Sequence, residues 1–234
     1  MSEFELPIRP LTRREWRRTY RQAPVGRAIG DGGASGFPVV LMVCTGNICR
    51  SPLAEALLRE RLRGFGVTVQ SAGTRARNGD KMVGLSQTIA IRNGADPEEV
   101  AAHRARWLIE PLADDADLIL AMSRQHRTAS VELSPRHLRR SFTLREFARL
   151  TQGMSADEIR EAADYAGETP RDRIVAVASL AAQRRGSAAP PSEQDDDVID
   201  PYRREPEIYE ESARQLVPAV DEVARVLRSV LARR

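Results

Sequence analysis

Residues 39–52 read V-V-L-M-V-C-T-G-N-I-C-R-S-P. Five apolar residues, Val39–Val43, run straight into Cys44. Five more separate Cys44 from Arg50, and Ser51 and Pro52 follow. Cys44 and Cys49 are the only two cysteines of the 234 residues. A continuous apolar run of this length predicts a strand buried on both faces. Beyond the turn, Leu53, Ala54, Leu57 and Leu58 fall on one helical stripe, with Pro52 at the favoured first position. Gly46 permits a tight or left-handed backbone between them. A strand–turn–helix of this kind aims successive N–H groups into one concavity at the positive end of a helix, which makes an anion cradle.

Cys44 stands at the floor of that cradle. Amide dipoles and Arg50 favour its thiolate, and the planar guanidinium can hold two phosphate oxygens at once. A thiolate beside a tetrahedral-anion cradle is equipped to attack phosphorus. The bland alternative, a small buried hydrophobe at a strand end, sits poorly with Thr45, Gly46, Asn47 and Arg50. Two cysteines five positions apart and three distant histidines do not match structural zinc spacing. G-K-[ST] is missing, which excludes an ATP-binding P-loop.

Outward from this turn, β and α segments alternate. Val67–Val69, Asp117–Met122 and Ser141–Leu144 read as further strands. Ser51–Arg63, Leu85–Arg92 and Leu112–Ala116 read as helical, Asp96 as an N-cap and Ser123 as the cap of another helix. The pattern predicts a parallel sheet with helices on both faces. At 151–197 the pattern changes. Ser155–Glu158 is a capping box, Thr169-Pro170 opens a second helix, and 186–197 reads as a mobile loop ending in Asp195–Asp197. Glu207–Leu231 is an amphipathic helix that Pro218 should kink or split. Residues 1–37 read as a flexible extension, with a basic amphipathic segment at 11–22 and a Gly-rich linker at 30–36.

The net charge is +3, and Lys81 is the only lysine. The arginine excess fits coding bias at least as well as phosphate recognition. The basic 11–22 run suits a solvated tail better than a nucleic-acid contact, so no nucleic-acid partner is expected. No apolar run approaches the roughly 18–20 residues of a membrane span, and no signal pattern opens the sequence. A cytoplasmic setting is expected, without a structural disulfide framework.

C-T-G-N-I-C-R-S-P resembles the signature of the low-molecular-weight protein tyrosine phosphatases, over about residues 38–150 and 198–231. The resemblance implies an α/β, flavodoxin-like three-layer fold. Its four-stranded parallel sheet would carry the phosphate-binding loop after the first strand, within a phosphatase domain at 38–234 that holds a helical insertion at about 151–197. It implies a phosphotyrosine phosphatase working through a cysteinyl-phosphate intermediate, without metal or other cofactor. Cys44 would be the nucleophile, and Thr45, Gly46, Asn47, Ile48, Cys49 and Arg50 would bind phosphate. Ser51 would donate to the thiolate, and Asn47, supported by Ser71 and His103, would hold the loop in shape.

The leaving group needs a proton. The family's second signature, Asp-Pro-aromatic, is found in V-I-D-P-Y at 198–202, which points to Asp200 as general acid and then base. Asp96-Pro97 lacks the aromatic residue. Tyr202 would form one cleft wall, and Arg75 or Arg77 would stand on the other. Asp195–Asp197 reads as a solvated acidic run rather than a metal site. Related arginine phosphatases tend to carry threonine where this chain has Ile48, which favours tyrosine. An arsenate reductase of the same fold would need further cysteines. A non-enzymatic binding module is disfavoured by the joint presence of Cys44, Arg50 and Asp200. The insertion could act as a lid, regulate access or mediate association. Bacterial relatives suggest a tyrosine kinase of polysaccharide assembly as substrate. Cys49 would pack beneath the loop or close a protective disulfide with Cys44 under peroxide.

Overall fold

A computed structural model describes residues 36–232 apart from residues 168, 188 and 191. The basic 11–22 segment and most of the 30–36 linker lie outside the described residues. The first strand, β1 (Val39–Cys44), is fully buried. It pairs in parallel with β2 (Thr68–Gly73) on one side and β3 (Leu118–Ala121) on the other. The last strand, β4 (Ser141–Thr143), adds in parallel to β3, giving the order β2-β1-β3-β4. Strand β2 runs further than Val67–Val69, and its added residues include Ser71 and Gly73. Polar Gln70 and Ser71 hide the strand from a reading based on apolar runs.

The period of two splits β1 between the faces of the sheet. Val40 and Met42 join Leu118, Leu120 and Met122 in one apolar cluster. Leu41 and Val43 join Ile119, Ala121, Leu108 and Leu112 in another. Against the first face pack helix α1 (Arg50–Arg61), through Leu53, Leu57 and Leu58, and the long C-terminal helix. Between them in sequence come α2 (Gly84–Arg92), α3 (Pro97–Ala102) and α4 (Glu110–Asp115). The second face is covered by α4 and α5 (Arg124–Leu133). The result is the expected three-layer, four-stranded parallel α/β fold with Cys44 in the loop after the first strand.

Two segments go beyond the sequence expectations, and at Pro218 the expected split is not found. Helix α6 (Leu144–Thr151) follows β4 directly, set by a capping box between Thr143 and Glu146 that the sequence reading passed over. The insertion forms α7 (Ala156–Ala166) and α8 (Pro170–Gln183). Their apolar residues Ile159, Ala163, Ile174 and Val177 belong to the same cluster as β1 and α1. Arg171 reaches Asp115 and Asp117 before β3, and Arg185 lies 4.2 Å above the Phe142 ring of β4. Finally, α9 (Pro206–Leu231) runs unbroken through Pro218. Leu216, Val220, Val223, Leu227 and Val230 anchor it on both sides of the proline, so tertiary packing outweighs the lost N–H.

The acidic run is ordered rather than a mobile, solvated loop. Asp196 is buried and forms a two-point pair with Arg149, at 3.0 and 2.8 Å. Its carbonyl accepts from Thr143 Oγ1 at 2.6 Å. Asp197 accepts from the amide of Arg124 at 2.8 Å. The three aspartates are dispersed among arginine and backbone partners, so the run is a clamp that fixes the segment leading to Asp200.

Candidate active site

The loop from Cys44 to Cys49 leaves β1 at the carboxyl end of the sheet, where α/β folds bind ligands. It is sewn to the turn after β2: Thr74 N donates to Cys44 O at 2.9 Å and Arg75 N to Thr45 O at 2.8 Å. Val83 N closes the far side on Ile48 O at 2.9 Å. The left-handed residue of the loop is Asn47, at φ 53°, and not Gly46. Asparagine tolerates that region when its side chain is satisfied locally. Here the side chain is fully committed. Nδ2 donates to Ser51 Oγ at 2.9 Å and to Ser71 Oγ at 2.7 Å, and Oδ1 accepts from the amide of Arg106 at 2.9 Å. His103 Nε2 donates to the Asn47 carbonyl at 2.8 Å.

This strained residue turns its own amide onto the cysteine: Asn47 N lies 3.2 Å from Cys44 Sγ. Ser51 Oγ donates to the same sulfur at 3.0 Å. Two donors therefore meet Sγ, as a thiolate nucleophile requires. Behind them Ser71 Oγ donates to Glu55 Oε2 at 2.5 Å, and Glu55 also binds Arg59. Burial lowers the His103 imidazole below its usual range, so it supports Asn47 as a neutral donor. The helix starts at Arg50, which moves Pro52 from the first position to later in the first turn, where its missing N–H still costs nothing.

Arg50 is buried at 5% exposure. Nη1 donates to Val198 O at 3.1 Å, and Nη2 meets Asp200 Oδ2 at 2.6 Å. Nε is buried and has no hydrogen-bond partner among the described residues. A buried guanidinium donor left over in this way is suited to an incoming anion. The Asp200 side chain is half-exposed on the rim. Its Oδ1 accepts from Tyr202 N at 3.2 Å, and its loop is pinned by Val198 N on Met122 O at 2.9 Å. Asp96 instead caps α3, accepting from Glu98 N and Glu99 N at 2.8 and 3.3 Å.

The structure thus gathers Cys44, Asn47, Arg50, Ser51, Ser71, His103 and Asp200 into one connected group. Tyr202 is half-exposed, with the Arg203 guanidinium 5.2 Å over its ring. Arg77 is turned outward and paired with Asp80 at 2.9 Å. Both cysteines are free thiols. Burial pushes the Cys49 thiol up to about 11, with Ser86 and Tyr209 as its hydrogen-bonding neighbours. Sequence reasoning missed Glu55, Gly73, Arg106 and His126. Glu55 and Arg106 carried no motif. The glycine of V-Q-S-A-G-T and the buried histidine following the Ser123 cap were the available signals for the other two.

Comparison with known proteins agrees with this geometry. The family model described as low molecular weight phosphotyrosine protein phosphatase matches residues 39–169, more than half of the chain. A protein-arginine-phosphatase of Geobacillus stearothermophilus is 38% identical over 141 residues, covering 58% of this chain and 92% of that protein. A probable low molecular weight protein-tyrosine-phosphatase, EpsP, of Ralstonia nicotianae is 36% identical over 122 residues, covering 52% of this chain and 79% of that one. Among solved structures, the YwlE arginine phosphatase of Geobacillus stearothermophilus superposes with a TM-score of 0.57 at 27% identity, over 82% of this chain and 93% of that one. The chain belongs to the low molecular weight phosphotyrosine protein phosphatase family.

Proposed function

We propose that the protein hydrolyses phosphotyrosine in proteins by cysteine-dependent phosphoryl transfer. The observation that carries this reading is Cys44 Sγ, held by Asn47 N and Ser51 Oγ beside the unpartnered Nε of buried Arg50. Arg50 and the loop amides bind the non-bridging phosphoryl oxygens and compensate their charge. The thiolate attacks phosphorus, the P–O bond to the aryl group breaks, and Asp200 protonates the departing phenoxide. Water then attacks the cysteinyl-phosphate and gives its proton to the Asp200 carboxylate. The P–S bond breaks, releasing inorganic phosphate and the thiolate. Ser51 and Asn47 hold the sulfur through both steps, and Tyr202 offers an aromatic wall.

The arginine-phosphatase reading has a specific observation in its favour, the Geobacillus relative. Against it stands Ile48, an apolar side chain in the loop that suits an aryl ring better than a guanidinium. The tyrosine-phosphatase relative EpsP supports the primary reading. A tyrosine kinase of polysaccharide assembly remains our proposed partner, in a cytoplasmic setting. Among the described residues no helix is long and apolar enough to cross a membrane.

The test is turnover of p-nitrophenyl phosphate with EDTA present, followed by a phosphopeptide panel of phosphotyrosine, phosphoarginine and phosphoserine. Phosphotyrosine should lead; a lead for phosphoarginine overturns the substrate assignment. Cys44→Ser should abolish turnover and keep phosphate binding. Asp200→Ala should slow aryl phosphate hydrolysis roughly 10²–10⁴-fold. A wild-type rate in either variant would sink that residue's role.

A further inference from the structure

The phosphate loop has a partner that its motif does not announce. His126 lies in the first turn of α5, nearly inaccessible to solvent at 4% exposure. Its Nε2 is 2.8 Å from Oγ1 of Thr45, the residue directly after Cys44. Its Nδ1 is 2.8 Å from Oγ of Ser123. We propose that His126 is a positioning residue for phosphate capture, turning the hydroxyl of Thr45 into a hydrogen-bond donor for the bound phosphoryl group; this rests on the phosphatase reading above.

The direction of the hydrogen bonds follows from counting protons. Ser123 caps α5, and its Oγ already accepts from the amide of His126 at 3.4 Å. The hydroxyl hydrogen is therefore best used on Nδ1. Burial, with the charge of Arg50 acting in the same direction, lowers the imidazole to about 3, so the ring is neutral and carries one N–H. With Nδ1 accepting, that hydrogen is on Nε2 and goes to Thr45 Oγ1. Thr45 then keeps its own hydrogen for another acceptor. Its backbone is fixed, since its carbonyl accepts from Arg75 N at 2.8 Å, and its β-branched side chain is stiff.

The same turn also holds the loop that leads to the acid. Met122 O accepts from Val198 N at 2.9 Å, and Arg124 N donates to Asp197 Oδ1 at 2.8 Å. Residues 122–126, directly after β3, thus join that strand to both the nucleophile loop and the approach to Asp200.

Three variants test this: Thr45→Val, His126→Phe, which fills the space without a donor, and His126→Gln, whose amide reaches the Nε2 position. The first readout is the Kd of inorganic phosphate by titration calorimetry, which needs no turnover. The second is kcat and KM on an aryl phosphate. Thr45→Val and His126→Phe should each weaken phosphate binding roughly 10- to 100-fold, the scale of one hydrogen bond to a charged group. The double variant should lose no more than either single one, and His126→Gln should restore most of the affinity. Nitrogen-15 spectra of the wild type should show a neutral Nε2–H tautomer for His126.

Phosphate affinity unchanged in Thr45→Val overturns the proposal. So do independent, multiplying losses in the double variant, or an Nδ1–H tautomer. If His126→Phe does not fold, Thr45→Val and the tautomer decide. If the wild type binds phosphate but hydrolyses no aryl phosphate, the phosphatase reading fails while the binding series still decides the role of His126.

Discussion

Gly73 shows how far a single atom reaches in this site. A Cβ there would lie 2.5 Å from Thr45 O, 2.9 Å from Asn47 N and 2.9 Å from Ala76 Cβ. Two of those contacts are backbone atoms of the phosphate loop, which has no slack because Asn47 is locked by its hydrogen bonds. Gly73→Ala should therefore push the loop off the geometry that presents N–H groups to phosphate. We expect kcat/KM on aryl phosphates to fall on the order of 100-fold, the effect of roughly an ångström of misplacement, with the circular dichroism spectrum retained. Wild-type kinetics in this variant would mean that the loop is softer than its bonding describes. Cys44 and Arg50 were legible in the sequence because their spacing within one turn is itself the geometry. Gly73, Glu55 and Arg106 were not, because they reach the loop only through the pairing of β1 with β2 and the packing of α1. Even within the motif, the residue with the unusual backbone was misread: glycine was the obvious choice, yet Asn47 takes φ 53° because three side-chain bonds stabilise it there.

At the scale of elements, apolar runs located β1 and β3 well, and caps located α3, α5, α7 and α8. Strand β2 was cut short because its functional end, Gln70–Gly73, is polar and small. The segment before the acid was misjudged for a related reason. Composition alone makes G-S-A-A-P-P-S-E-Q-D-D-D look solvated, and nothing local shows that Arg149 waits for Asp196 on another helix. That pair yields a prediction. Removing one member of a buried ion pair strands the other and costs about 3–5 kcal/mol when burial is complete. The Arg149 side chain keeps some contact with water, so about 2 kcal/mol is the better figure for Asp196→Ala. Tm should drop by roughly 4–8 °C. Because the Asp196 carbonyl and Asp197 also pin the approach to Asp200, kcat should fall along with stability. A variant that loses stability but keeps full kcat would show that the acid loop is held elsewhere, for instance by Ile199 N on Gln215 Oε1 at 2.9 Å.

For the molecule as a whole, alternating β and α segments sufficed to give the sheet and its layers, while its response to pH could be read only from burial. All three histidines of the chain, His103, His126 and His137, are lowered by desolvation. Each is used as a neutral hydrogen-bonding group: His103 on Asn47, His126 between Thr45 and Ser123, and His137 on the Ala113 carbonyl at 2.7 Å. The sign of the effect follows from linkage. Between pH 6.5 and the lower native values the unfolded chain binds more protons than the folded one, so stability rises with pH and is lost on acidification. At the alkaline end the sign reverses, because Cys49 stays protonated in the fold up to about 11 while an unfolded thiol ionises near 9. Carboxylates titrate mostly below pH 5, so urea unfolding at pH 7.5 and at pH 5.5 reads chiefly the histidines, and the Asp117 carboxyl, raised by burial, acts with the opposite sign. His126, lowered from 6.5 to about 3, should by itself remove roughly 1 kcal/mol over that interval. His103 and His137 add to the loss in the same direction. His126→Gln, which cannot take up a proton, should flatten the dependence by the His126 share. Stability that holds level from pH 7.5 to 5.5, or a slope that His126→Gln leaves untouched, would mean that these imidazoles protonate in the folded protein as easily as in the unfolded chain.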